Sequence, residues 1–215
     1  VEELLGDWRT PRPFERVRLR HFERPPADQE IITPDKANAV LRGGLNVKLR
    51  DDHPDFPALV LANYLLGGSS TARLPDRVRE KDGLSYSTFS SFNASPFDEA
   101  ASLRVAAIYA PQNRSRVERA VREEFERVVR AGFSAPELKT GKEALLEARR
   151  MARTQDRALA SRLGSYLFMK RSFAWDVEFE AKIAALTPAQ VHAAIKRHFD
   201  PAKLSLVAAG DFKKN

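Results

Sequence analysis

The stretch Leu65-Leu-Gly-Gly-Ser-Ser-Thr-Ala-Arg-Leu-Pro-Asp-Arg-Val-Arg-Glu-Lys-Asp-Gly-Leu-Ser-Tyr-Ser87 carries the end of one helix, the whole of a second and the start of a strand. Gly67-Gly68 stops the first helix, because glycine adopts the conformations that end a helical run at little cost. Ser69, Ser70 and Thr71 supply capping hydroxyls for a shorter helix that runs to about Lys81, with Gly83 as its terminator. From Leu84 to Asn93 the pattern becomes β-type. Gly67 to Thr71 lacks the Lys-Ser/Thr that closes a phosphate loop. The plain reading is a helix stop followed by a helix start. The functional one makes Gly67, Gly68, Ser69 and Ser70 a ligand-lining turn, since glycine lets another backbone approach closely.

Upstream, Phe56 to Leu66 is apolar on nearly all sides, which predicts a helix buried from several directions. Before it lie β-type runs at Glu30–Thr33 and Ala37–Arg50, the second expected to bend or bulge at Gly43-Gly44, and a weak alternating run at Arg16–Phe22. Val1 to Trp8 reads as a short amphipathic helix, ended by Thr10-Pro-Arg-Pro13; residues 1–15 are therefore expected to be a linker or extension, and 16–215 the domain. Downstream, Ala100–Ala110 should pair antiparallel with Leu84–Asn93. Val117, Val121, Phe125 and Val128 then mark a helix that ends at Gly132. Ser134-Ala-Pro-Glu137 and Thr187-Pro-Ala-Gln190 are capping boxes. They open a long helical region through Met169 and a helix to Phe199, with a further helix at Trp175–Leu186 and a last strand at Leu204–Ala209. This order predicts an α+β fold, with helices layered on one face of a mainly antiparallel sheet.

Composition narrows the function. The 215 residues suffice for one large domain, and no apolar run approaches the length of a membrane span, which reads as a soluble chain without a membrane partner. The absence of cysteine excludes disulfides and thiolate metal sites. The net charge of +7 comes from basic residues interleaved with acids, as in Arg114 to Arg127, the pattern of a solvated helix face rather than of a nucleic-acid footprint. The four histidines, His21, His53, His192 and His198, include no i,i+4 pair, so they read as surface or capping residues and no metal site is expected in the chain. No nucleophile-elbow pattern occurs either.

The quoted stretch resembles the non-zinc domain of insulinase-family (pitrilysin-type, peptidase family M16) peptidases, in which a Leu-Gly-Gly turn leads to Arg-Leu and then to Arg-Glu-x-x-Gly-Leu-x-Tyr. The match falls on Arg73, Leu74, Arg79, Glu80, Gly83, Leu84 and Tyr86. Looser similarity covers Trp8 to Pro11, Asp35-Lys36, the helical stretch after Pro136, the Thr187-Pro188 cap and Val207 to Asp211. The resemblance implies a sheet of about five or six strands backed by helices, in domains that occur in pairs. One member of the pair carries His-x-x-Glu-His and the zinc; this chain, which has no such motif, corresponds to the other. It implies no cofactor here, zinc in a partner domain fused upstream or on a separate chain, and extended peptides as substrates. It favours the bacterial periplasm over the cytoplasm. In the family an Arg and a Tyr seven positions later reach towards the scissile peptide, which points to Arg79 and Tyr86 as catalytic residues assisting the partner's zinc site. Their chemistry suits that role, because a guanidinium and a phenolic O–H are donors for a carbonyl oxygen gaining negative charge. Pro75 departs from the family pattern and moves the expected helix start to Leu74. The rival readings are a degenerate scaffold member, like the peptidase-like core subunits of respiratory complexes, and, more distantly, a nucleic-acid module.

Overall fold

The computed structural model describes residues 2–23 and 25–213. A short helix, α1 (Glu2–Leu5), leads into an extended strap. Arg16–Phe22 does not join the sheet as the alternation suggested; Val17 and Leu19 stay exposed. The strap is held instead by point contacts. The Arg16 guanidinium donates twice to Asp98 (2.5 and 2.7 Å), the Leu19 N–H donates to the same carboxylate (2.9 Å), and Asn46 donates to the Phe22 carbonyl (3.2 Å).

Strands β1 (Gln29–Ile32) and β2 (Ala39–Val47) follow, then helix α2 (Phe56–Asn63). All but two residues of α2 are buried, as its all-round apolar sequence requires. It runs on into a π-helical turn, Tyr64–Gly68. Helix α3 (Arg73–Pro75) runs into a second such turn, Asp76–Lys81, and starts one residue earlier than expected. Pro75 is tolerated because it falls in the first turn, where its missing N–H would have had no helical partner. Next come β3 (Ser85–Ala94), β4 (Ala101–Tyr109) and helices α4 (Arg114–Ala131), α5 (Ala135–Ala152), α6 (Asp156–Met169), α7 (Ala174–Ala185) and α8 (Pro188–His198). Strand β5 (Ser205–Gly210) closes the order.

The sheet order is β1-β5-β2-β4-β3, antiparallel except for the parallel β1–β5 pair. Period-two alternation decides which face is covered. Leu41, Leu45, Leu103, Val105, Leu206 and Ala208 point into the core, against Leu59 and Leu61 of α2, Phe125 of α4 and Ile195 of α8. The opposite face is open. One row across all five strands reads Ile31, Ala209, Val40, Ile108 and Ser87, and Phe89 follows in the next row. Ile31, Ile108 and Phe89 remain exposed there.

Both capping boxes form, with Ser134 and Thr187 accepting from the backbone N–H of Glu137 and Gln190. Two local expectations are corrected. The long helical region breaks at residues 153–155 into α5 and α6, where no glycine or proline marks the break and the Thr154 hydroxyl donates to the carbonyl of Met151 (2.8 Å). Gly43-Gly44 makes no bulge, and β2 pairs without interruption from Ala39 to Val47. The glycines serve close packing. A Cβ on Gly43 would lie 2.3 Å from the Leu206 side chain, and one on Gly44 2.2 Å from the Leu103 carbonyl oxygen.

Candidate functional site

The Asp76–Lys81 turn buries Val78 and leaves Arg79, Glu80 and Lys81 outside. The Asp82 N–H donates to the carbonyl of Arg77 (3.0 Å) and the Leu84 N–H to that of Val78 (2.9 Å), so the turn is closed from below. Gly83 reverses the chain at φ +60, with open space where a Cβ would stand; it is needed for its backbone conformation alone. The Asn113 side chain then donates to the Leu84 carbonyl (3.1 Å) and fixes the approach to β3.

The sheet irregularity absent from β2 occurs here. Ser85 faces Tyr109 and Ser87 faces Ile108, consecutive partners on β4, so Tyr86 is the extra residue of a bulge. The Ser85 and Thr88 hydroxyls share a 2.7 Å hydrogen bond across it. A bulge re-aims its residue, and Tyr86 is 63% exposed. Its hydroxyl has no hydrogen-bond partner among the described residues. Arg79 is also largely exposed, and its Nε lies 3.4 Å from Glu80, a loose surface pair of the kind worth about 0–1 kcal/mol. The two residues expected to act on substrate therefore sit on either side of one glycine turn, both exposed.

Arg73 of the same motif is different. It is mostly buried, donates to both Glu137 oxygens (2.9 and 3.1 Å), lies 3.6 Å from Glu124 and covers the Phe133 ring at 4.6 Å. It ties the start of α3 to α4 and α5, and its hydrogen bonds pull the Glu137 carboxyl down to about 2. Arg73 thus holds the segment that carries Arg79.

The glycine turn is divided in the same way. Gly67 is buried where the Tyr64–Gly68 turn meets β3, and a Cβ there would lie 2.6 Å from Ser90 Oγ and 2.7 Å from Ser90 N. Gly68 and Ser70 are exposed. Ser69 lines a groove of about 410 Å³ with Tyr64, Thr71, Arg73 and Gly141. Both the glycine turn and the Arg79 turn pack on β3, so the chain places the expected ligand-lining and catalytic residues along one strand.

Sequence spacing missed one constellation. His198, at the end of α8, has Nε2 2.8 Å from the Asp55 carboxylate, while His53 Nδ1 accepts the Asp55 N–H (3.1 Å). Arg197 donates twice to Asp55 (2.9 and 2.7 Å). His53 and His198 were expected to be isolated surface or capping residues. The packing of α8 against the start of α2 brings them together, and the only local hint was the short run His53-Pro-Asp55. Among the described residues no helix is long and apolar enough to cross a membrane.

Comparison with solved structures finds the same fold repeatedly. The peptidase M16 inactive domain from Pseudomonas fluorescens superposes with a TM-score of 0.79 at 24% identity, over 92% of this chain and 46% of that one. A protease from Helicobacter pylori gives 0.82 at 13% identity, over 97% of this chain and 50% of that one. The inactive peptidase domain of a proposed zinc protease from Bordetella parapertussis gives 0.66 at 14% identity, over 80% of this chain and 91% of that one. The chain thus spans about half the length of the first two. Comparison with curated protein sequences returns no match. The family model for the peptidase M16 inactive domain matches residues 1–145, which include the whole Leu65–Ser87 stretch, and the chain therefore belongs to the peptidase M16 inactive-domain family.

Proposed function

We propose that this chain is the non-catalytic half of an M16 zinc peptidase: it binds extended peptide beside β3 and presents Arg79 and Tyr86 to the scissile carbonyl held at a partner domain's zinc. The observation that carries this reading is the bulge at Tyr86, which turns a phenol outward on the strand that the Arg79 turn leads into. A strand edge and a close-packed glycine turn suit an extended peptide backbone, with Gly68, Ser69 and Ser70 beside it and Gly67 setting their position. The open sheet face around Ile31, Ile108 and Phe89, and the exposed Leu163, Leu167 and Phe168 of α6, are apolar surfaces for the zinc-bearing partner.

A zinc held by the partner domain would supply an activated water; Arg79 and Tyr86 would be the donors for the charge that then builds on the carbonyl oxygen, and donors aimed at that charge lower the barrier more than they tighten substrate binding. In the complex reconstituted with its zinc-bearing partner, Tyr86→Phe is expected to leave peptide affinity nearly intact and lower kcat by roughly 10²–10³-fold. Arg79→Ala should be at least as damaging. Arg79→Lys should recover part of the loss, since an ammonium keeps the charge without the planar fork. An unchanged kcat in both Tyr86→Phe and Arg79→Ala would make the motif structural and the chain a scaffold.

A further inference from the structure

We propose that His53, Asp55 and His198 form a binding site for one borderline divalent transition-metal ion, zinc being the type, which clips the start of α2 to the end of α8 in competition with Arg197. The inference goes beyond the peptidase reading and does not depend on a partner domain.

Two imidazoles and a carboxylate are a donor set that suits zinc or nickel; calcium and magnesium call for more oxygen ligands. The three donor atoms lie within 4.8 Å of one another. A tetrahedral ion with bonds of about 2.0–2.1 Å separates its ligands by roughly 3.3 Å, so each donor needs to move inward by about 1 Å or less. The frame is firm. Asp55 directly precedes α2, where Phe56 is buried, and His198 stands between the core residues Ile195 and Phe199. The side chains of Asp55 and His198 are 16% and 15% exposed, which shelters a site while leaving it reachable.

The present hydrogen bonds turn one ring nitrogen of each histidine towards Asp55. The His53 Nδ1 lone pair faces the Asp55 loop, and His198 Nε2 faces the carboxylate. An ion takes over both contacts: in the neutral His198 ring the Nε2 proton moves to Nδ1, and a charged ring releases a proton to solvent. Arg197 is the competitor, already supplying positive charge to Asp55. Its side chain is 56% exposed, so it can withdraw into water and leave the carboxylate to the metal.

The test uses the tag-free chain, stripped of metal and titrated with Zn²⁺ by calorimetry and with Co²⁺ by visible absorption. One equivalent of zinc is expected to bind and to raise the melting temperature. His53→Ala and His198→Ala should each weaken binding at least ~10-fold, since loss of even an outer-shell partner of a metal site costs about 10–100-fold. Arg197→Gln, which removes the competing cation and no ligand, should strengthen it several-fold. Circular dichroism of the metal-free variants separates lost binding from lost fold, and His53→Ala, in a loop, keeps the test valid if His198→Ala fails to fold. Absence of zinc uptake by the wild-type chain overturns the site. So does uptake that persists undiminished in the folded histidine variants.

Discussion

Replacing Arg73 by alanine tests how much the motif's first arginine stabilises the fold through Glu124 and Glu137. Glu124 is 1% exposed, and among the described residues it pairs with Arg73 at 3.6 Å and with the half-exposed Arg127 at 3.5 Å. Removing Arg73 leaves a buried carboxylate short of compensation, which costs about 3–5 kcal/mol for a well-made buried pair. The 3.6 Å separation puts this one at or below the lower end of that range. The half-exposed Glu137 pair adds about 0–1 kcal/mol and the contact with Phe133 about 0.5–1 kcal/mol. The expected loss is about 3–4 kcal/mol, out of a total stability of about 5–15 kcal/mol, so the chain stays folded with a lowered denaturant midpoint. Adding Glu124→Gln removes the uncompensated charge and should restore about 1–2 kcal/mol. Urea unfolding followed by tryptophan fluorescence reads both steps, because Trp175 is stacked on the core residue Phe179 at 5.0 Å. A loss under 1 kcal/mol, or a double-mutant cycle showing no coupling between Arg73 and Glu124, would show that Arg73 does not compensate the buried carboxylate.

Glu137 gives the same cluster a pH signature. Its folded value of about 2 lies below its ordinary 4.5, so the stabilisation is complete above pH 4.5 and disappears as pH falls through 2. Thermal melts of the wild type and Glu137→Gln should therefore differ most above pH 4.5 and converge below it; a difference that stays constant down to pH 2 would contradict the assignment. Two glycines near the site should fail for different reasons. Gly67→Ala forces a Cβ to 2.7 Å from the Ser90 backbone N and should cost about 1–3 kcal/mol through displaced packing, while Gly83→Ala meets nothing and should cost about 1–2 kcal/mol through its positive φ alone. Gly83→Asn, which tolerates that conformation, should recover part of the second loss in denaturant melts, whereas Gly67→Asn should be worse than Gly67→Ala.

Signals that act between near neighbours were legible from the amino-acid order alone. The caps at Ser134 and Thr187 formed as read, because a capping box is closed by residues three apart and needs nothing else. The buried α2, the paired strands β3 and β4 and the Arg79 to Tyr86 motif were legible for the same reason: period, turn chemistry and spacing are local. Which distant residues meet follows from the packed fold. It put the bulge at Tyr86 rather than at Gly43-Gly44, since register depends on how β4 pairs with both neighbours and not on where glycine occurs. It separated Arg73, drawn into a pair with Glu137 from a helix far along the chain, from Arg79, left in solvent; one motif held both kinds of arginine without distinguishing them. It also brought His198 to Asp55 and His53. No spacing rule reaches across that length of chain, because the contact is made by the packing of α8 on α2 and by the apolar residues that drive it.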